Sequence, residues 1–76
     1  MTLRHLKIFL AVYETGSTTA AAEELLIAQP SVSVALKELE EHYGVRVFER
    51  MSKRLYVTQA GQELYQYARH LVSLFE

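Results

Sequence analysis

Residues 28–50, AQPSVSVALKELEEHYGVRVFER, decide how this chain is read. The segment opens small and uncharged at Ala28-Gln29-Pro30-Ser31, gathers Glu38, Glu40 and Glu41, stops at Gly44 and closes on Arg46 and Arg50. Val32, Leu36, Leu39 and Tyr43 recur at helical spacing and define a core face. Pro30 belongs in the first turn, where its missing N–H is no loss. Gly44 is a helix stop. At about 100° per residue the opposite arc holds Pro30, Val34, Lys37, Glu38 and Glu41, with Ser33 at its edge. Gln29, at the helix head, reaches past that arc. The result is a helix whose head is neutral and whose tail is acidic.

The flanking sequence gives this helix its neighbours. Leu3, Leu6, Phe9, Leu10 and Tyr13 form one face of a first helix, with Thr2 as its N-cap and Gly16 as its stop. Ile8 and Val12 lie on a second apolar stripe, more than a single core face needs. Ser17 can cap a second helix that starts at Thr18 and Thr19, runs through Ala20, Ala21 and Ala22 and ends around Leu25 to Ile27. The link to the third helix is very short. After Gly44, Val45, Val47 and Phe48 suggest a strand, Met51-Ser52-Lys53 a turn and Leu55-Tyr56-Val57 the returning strand. Thr58 can cap a fourth helix, through an N–H near Ala60 or Gly61. That helix carries Ala60, Leu64, Tyr67, Ala68, Leu71, Val72 and Phe75. The fold class is mainly α: a winged helix-turn-helix of three helices, a β-hairpin wing and a C-terminal helix.

With 76 residues the chain supports one domain. A domain of that size buries only about 60% of the surface of its unfolded chain. There is no cysteine, hence no disulfide and no thiolate metal site. No apolar run approaches the roughly 20 residues of a membrane span. The expectation is a cytoplasmic protein. His5, His42 and His70 have no metal-ligand spacing. No nucleophile elbow, phosphate loop or paired-carboxylate site is present, which speaks against an enzyme.

The net charge of −1 is unevenly spread. Residues 23–42 carry five glutamates against Lys37, whereas residues 44–58 carry Arg46, Arg50, Lys53 and Arg54 against Glu49. Two helices joined by a tight turn form a helix-turn-helix, whose second helix enters the DNA major groove by its head. The third helix suits that task. Gln29 offers a donor and an acceptor to an adenine edge. Ser31 and Ser33 can bond a phosphate or a base. Val34 suits a thymine methyl, and Lys37 a phosphate or a guanine. Glu38, Glu40 and Glu41 would be repelled by phosphate, so only the head can touch DNA. Arg50, Lys53 and Arg54 on the hairpin make a basic wing for flanking phosphates or a narrow minor groove. About three to five phosphate contacts per subunit would make affinity strongly salt-dependent.

Taken together, LRHLKIFLAVYETGS, AAAEEL, AQPSVS, LKELEEHYGVRVFER and LYVTQAG resemble the N-terminal domain of LysR-type transcriptional regulators. The resemblance covers essentially the whole chain. It implies a winged helix-turn-helix over residues 1–58, with the helix-turn-helix core at about 18–37 and the wing at about 45–57. It also implies a linker helix over 59–76 through which two subunits pair. The effector-binding domain of such bacterial, cytoplasmic regulators is expected beyond these residues. By position, the family's DNA contacts fall on Thr19, Gln29, Pro30, Ser31, Ser33, Lys37, Arg50 and Arg54. Members bind interrupted palindromes in double-stranded DNA as dimers or tetramers and usually answer to a small-molecule effector. No cofactor or metal is implied for this domain.

Four positions depart from the family pattern. Ala28 stands where a helix-capping serine is common, and such a cap is worth about 1 kcal/mol. Val34 stands in place of arginine, Thr18 in place of phenylalanine, and Glu38 in place of a basic residue. The apolar excess on the first and last helices points to a homodimer interface at Ile8, Val12, Leu64, Leu71, Val72 and Phe75. Packing of those two helices on each other within one chain is the other outcome. A winged-helix module that binds protein rather than DNA is the competing function. The head of the third helix separates the two, because residues 28–37 carry no carboxylate.

Overall fold

A computed structural model describes residues 1–76. The order is α1 (Leu3–Thr15), α2 (Thr18–Leu25), α3 (Gln29–Tyr43), β1 (Phe48–Met51), β2 (Arg54–Val57) and α4 (Gln59–Ser73). The two strands form one antiparallel hairpin with Phe48 opposite Val57 and Met51 opposite Arg54. Helix α1 is central and packs against α2, α3 and α4. Phe9, Val12, Val32, Leu39 and Val47 are its fully buried centre. Phe9 meets the root of the wing directly, with its ring 5.5 Å from that of Phe48.

Local chemistry sets the helix ends. Ser17 Oγ accepts from the Ala20 N–H at 3.1 Å and starts α2. Gly16 and Gly44 take the left-handed conformation that ends α1 and α3. Thr2 caps α1, with His5 as its partner. Thr2 N–H donates to His5 Nδ1 at 3.1 Å, which leaves Nε2–H to donate to Glu38 Oε1 at 2.8 Å. That bond ties the start of α1 to the side of α3.

Thr58 starts α4 as the sequence suggests. Its Oγ1 accepts from the Gly61 N–H at 3.0 Å and donates to the Arg46 carbonyl at 2.6 Å. Gly61 is buried against the wing, and a Cβ there would collide with the Val47 carbonyl oxygen and with Val57 Cγ1. Gly61, Ala68 and Val72 are all buried, so α4 shares the core of residues 1–58 rather than forming a separate unit. A polar cluster reinforces this. Tyr13 and Tyr65 stack with centroids 4.0 Å apart, and Glu14 Oε2 accepts from Tyr65 Oη at 3.0 Å and from Arg69 at 3.2 Å. The hydrogen bond to Tyr65, the charge of Tyr65 when ionised and the Glu14 carboxylate hold the Arg69 guanidinium above its ordinary pKa.

Three expectations are corrected. Ile8 and Val12 are 2% and 0% exposed within one chain, and Val72 is also buried, so none of them is free to meet a partner. Packing of α1 on α3 and α4 uses the second apolar stripe internally. Tyr43 is not in the core. It is half-exposed and lines an apolar groove with Val45, Leu64 and Tyr67. The first strand starts at Phe48 rather than at Val45.

Candidate nucleic-acid interface

The α2–α3 turn is three residues, Leu26 to Ala28. Ile27 N–H reaches back to the Ala22 carbonyl at 3.0 Å and closes α2. Ala28 is the N-cap of α3 and provides no side-chain bond. The first-turn N–H groups of α3 are therefore uncapped by any side chain, a state that favours an anion. Gln29, Pro30, Ser33, Val34 and Lys37 are all exposed, and Ser31 is half-buried. The core face of the same helix is buried at Val32, Ala35, Leu36 and Leu39. The head of α3 thus presents its small polar side to solvent.

The wing adds the positive charge. Arg50, Lys53 and Arg54 are exposed and make no ion pair. Ser52 and Lys53 both have positive φ, 50° and 66°, as a tight hairpin turn demands at its two central residues. These three cations share a polar cleft of about 450 Å³ with Ser17, Thr18 and Thr19 at the start of α2. Cations, hydroxyls and a helix N-terminus converging on one cleft form a phosphate-binding arrangement. The head of α3 is tied to a residue of this cleft, since Gln29 Nε2 donates to Thr18 Oγ1 at 3.1 Å. Sequence reasoning assigned Thr19 but not Ser17 or Thr18. The cap signal at Ser17 read only as helix chemistry.

The three glutamates of the acidic tail behave differently. Glu41 is exposed. Glu40 turns inward, accepting from Val47 N–H at 2.8 Å and Phe48 N–H at 3.4 Å, with Arg46 Nε 3.7 Å away. It organises the root of the wing, a role the sequence reading missed. Glu38 is held by His5 at the rim of a groove between Arg4 and Ile8 on α1 and Pro30 and Val34 on α3. Arg46 is exposed and pairs weakly with Glu40 and Glu49.

The profile described as "Bacterial regulatory helix-turn-helix protein, lysR family" matches residues 3–62. The chain belongs to the LysR family. It is 47% identical over 73 residues to the transcriptional regulator BenM of Acinetobacter baylyi, covering 96% of this chain and 24% of that protein. It is 44% identical over 69 residues to a RuBisCO operon transcriptional regulator of Allochromatium vinosum, covering 91% and 23%. The chain spans about a quarter of the length of these curated relatives. The BenM DNA-binding domain, solved in complex with catB site 1 DNA, superposes with a TM-score of 0.93 at 45% identity, over 99% of this chain and 84% of that one. The CbnR DNA-binding domain in its DNA complex gives 0.92 at 36% identity, over 97% and 85%.

This LysR-family chain is therefore a winged helix-turn-helix DNA-binding domain of the regulator type. Membership favours DNA over the protein-interaction reading. No helix is long and apolar enough to cross a membrane.

Proposed function

We infer that the chain binds duplex DNA sequence-specifically as the DNA-binding domain of a LysR-type transcriptional regulator, with two copies acting together. The observation that carries this reading is that the wing cations share a cleft with Thr18, to which Gln29 at the head of α3 is hydrogen-bonded. In this reading Gln29, Pro30, Ser31, Ser33, Val34 and Lys37 enter the major groove. Thr19, Arg50, Lys53 and Arg54 hold flanking phosphates or the minor groove. Glu38, tied to His5, stays off the backbone.

The pairing surface is the outer side of α4. Leu64, Tyr67, Leu71 and Leu74 are spaced 3, 4 and 3 residues apart, a heptad seam. Tyr67 and Leu74 are 70% and 65% exposed, and Leu71 is exposed as well. The neighbouring seam of Gly61, Tyr65, Ala68 and Val72 is occupied by the core. A second copy of α4 fits the outer seam, and Tyr43 and Val45 extend the same apolar surface. Of the residues expected from sequence, Leu64, Leu71 and Phe75 stay in this proposal, and Tyr67 and Leu74 join them. A small-molecule effector is proposed to act outside this domain, and the DNA target implies a bacterial cytoplasm.

Titration of mixed-sequence duplex across a salt series tests the DNA reading. Affinity should fall steeply as salt rises. Arg54→Ala should weaken binding to every duplex and reduce the log–log slope by about 1. Unchanged affinity and slope would remove the wing from the interface, and no binding by the unmodified chain at low salt would overturn the reading.

A further inference from the structure

We propose that Thr18 is a positioning residue for base readout: its hydroxyl orients the Gln29 carboxamide, joining the backbone contact of α2 to the base contact of α3. The proposal rests on the DNA-binding reading above. Gln29 is the first residue of α3, exposed, and preceded by an N-cap without a hydrogen-bonding side chain. Its only side-chain hydrogen bond is the one to Thr18 Oγ1, at 3.1 Å. Without that bond its three side-chain torsions would be free.

The chemistry leaves Gln29 able to read a base while held. A carboxamide has two N–H donors and an oxygen acceptor. Bidentate pairing with adenine uses the oxygen and the N–H cis to it. The trans N–H remains, and that is the donor Thr18 must take. Thr18 is a rigid support for three reasons. It is half-buried, it opens α2 directly after the Ser17 cap, and its β-branch restricts χ1. Thr18 also lines the cleft of Arg50, Lys53 and Arg54. A phosphate seated there would therefore register α2, and through Thr18 would register Gln29. The phenylalanine that the family resemblance leads one to expect at this position has no acceptor for the amide, so this device belongs to the chain's own residues.

The test compares the unmodified chain with Thr18→Val, Gln29→Ala and the double variant. Thermal unfolding reports the fold, mixed-sequence affinity with its salt slope reports backbone binding, and selection from a random duplex pool reports base preference. Thr18→Val should keep the unfolding midpoint, and whatever affinity it loses in the phosphate cleft should be lost equally on all duplexes. It should weaken base preference by about two- to tenfold at the one position that Gln29→Ala also weakens, the range expected for freeing one rotamer-rich side chain. In the Gln29→Ala background it should add nothing. An unchanged preference at that position overturns the proposal. So does a loss that is equal on all duplexes with the base preference at that position intact, which would make Thr18 a phosphate contact alone. A DNA-free arm separates this failure from failure of the DNA reading. By ¹⁵N relaxation the Gln29 side-chain amide should be ordered in the unmodified chain and mobile in Thr18→Val, and equal mobility in the two overturns the positioning role whatever the DNA result.

Discussion

Leu26 occupies the left-handed region at φ 59° with 90% of its surface exposed. The turn between α2 and α3 needs that conformation, and glycine or asparagine is its usual occupant. Leucine there gives neither packing nor backbone ease. Leu26→Gly should therefore raise stability by roughly 0.5–1 kcal/mol, the left-handed penalty less the extra freedom of an unfolded glycine. A urea midpoint measures it, and a fall would mean that Leu26 packs on something. Single residues were legible in the sequence where their partners are near in the chain. Gly16, Gly44, Ser17 and Thr58 act within a few residues of themselves and were assigned correctly. Glu40 was not, because its partners Val47 and Phe48 come within reach only once the chain has turned after Gly44. The bond between Thr18 and Gln29 likewise joins residues that meet only once α2 and α3 have packed.

At the scale of elements, the root of the wing is the most tightly specified part. Glu40 takes the N–H groups of Val47 and Phe48, Thr58 N–H takes the Val47 carbonyl at 3.1 Å, and Gly61 lets α4 press against that same carbonyl. This explains the delayed start of β1. Glu40 holds the Val47 N–H at 2.8 Å, neither Val45 nor Val47 has a strand partner, and Phe48, whose N–H is farther away at 3.4 Å, is the first to pair. Glu40→Ala should destabilise the domain by about 1–3 kcal/mol, the penalty for stranding backbone donors at a charged acceptor's site. Glu40→Gln, which keeps an acceptor, should lose less. Thermal unfolding of both variants checks the order, and equal stability of Glu40→Ala and the unmodified chain would deny Glu40 this role. The order of helices and hairpin was legible from periodicity and caps. Which stripe of a doubly apolar helix faces inward was not. Ile8, Val12, Val72 and Tyr43 were misassigned because that choice depends on where α1, α3 and α4 cross.

Across the whole molecule, function follows from keeping three surfaces apart. The core takes one seam of α4; in the proposed function the outer seam receives a second copy, and DNA meets the head of α3 with the wing. The double substitution Leu71→Glu and Leu74→Glu should leave the unfolding free energy of the monomer within about 0.5 kcal/mol of the original, because surface positions rarely cost more. It should also shift the sedimenting species toward monomer. A dimer that persists unchanged would relocate the interface. The near-neutral net charge hides this segregation, and only the distribution along the chain made it readable. The most direct measurement is selection of bound sites from a random duplex pool, run with the unmodified chain and with Gln29→Ala. The predicted result is a two-fold symmetric, interrupted site for the unmodified chain, with preference lost at one symmetry-related position in Gln29→Ala. A pool that emerges with no sequence preference, or one identical for both proteins, would contradict the assignment of base reading to the head of α3.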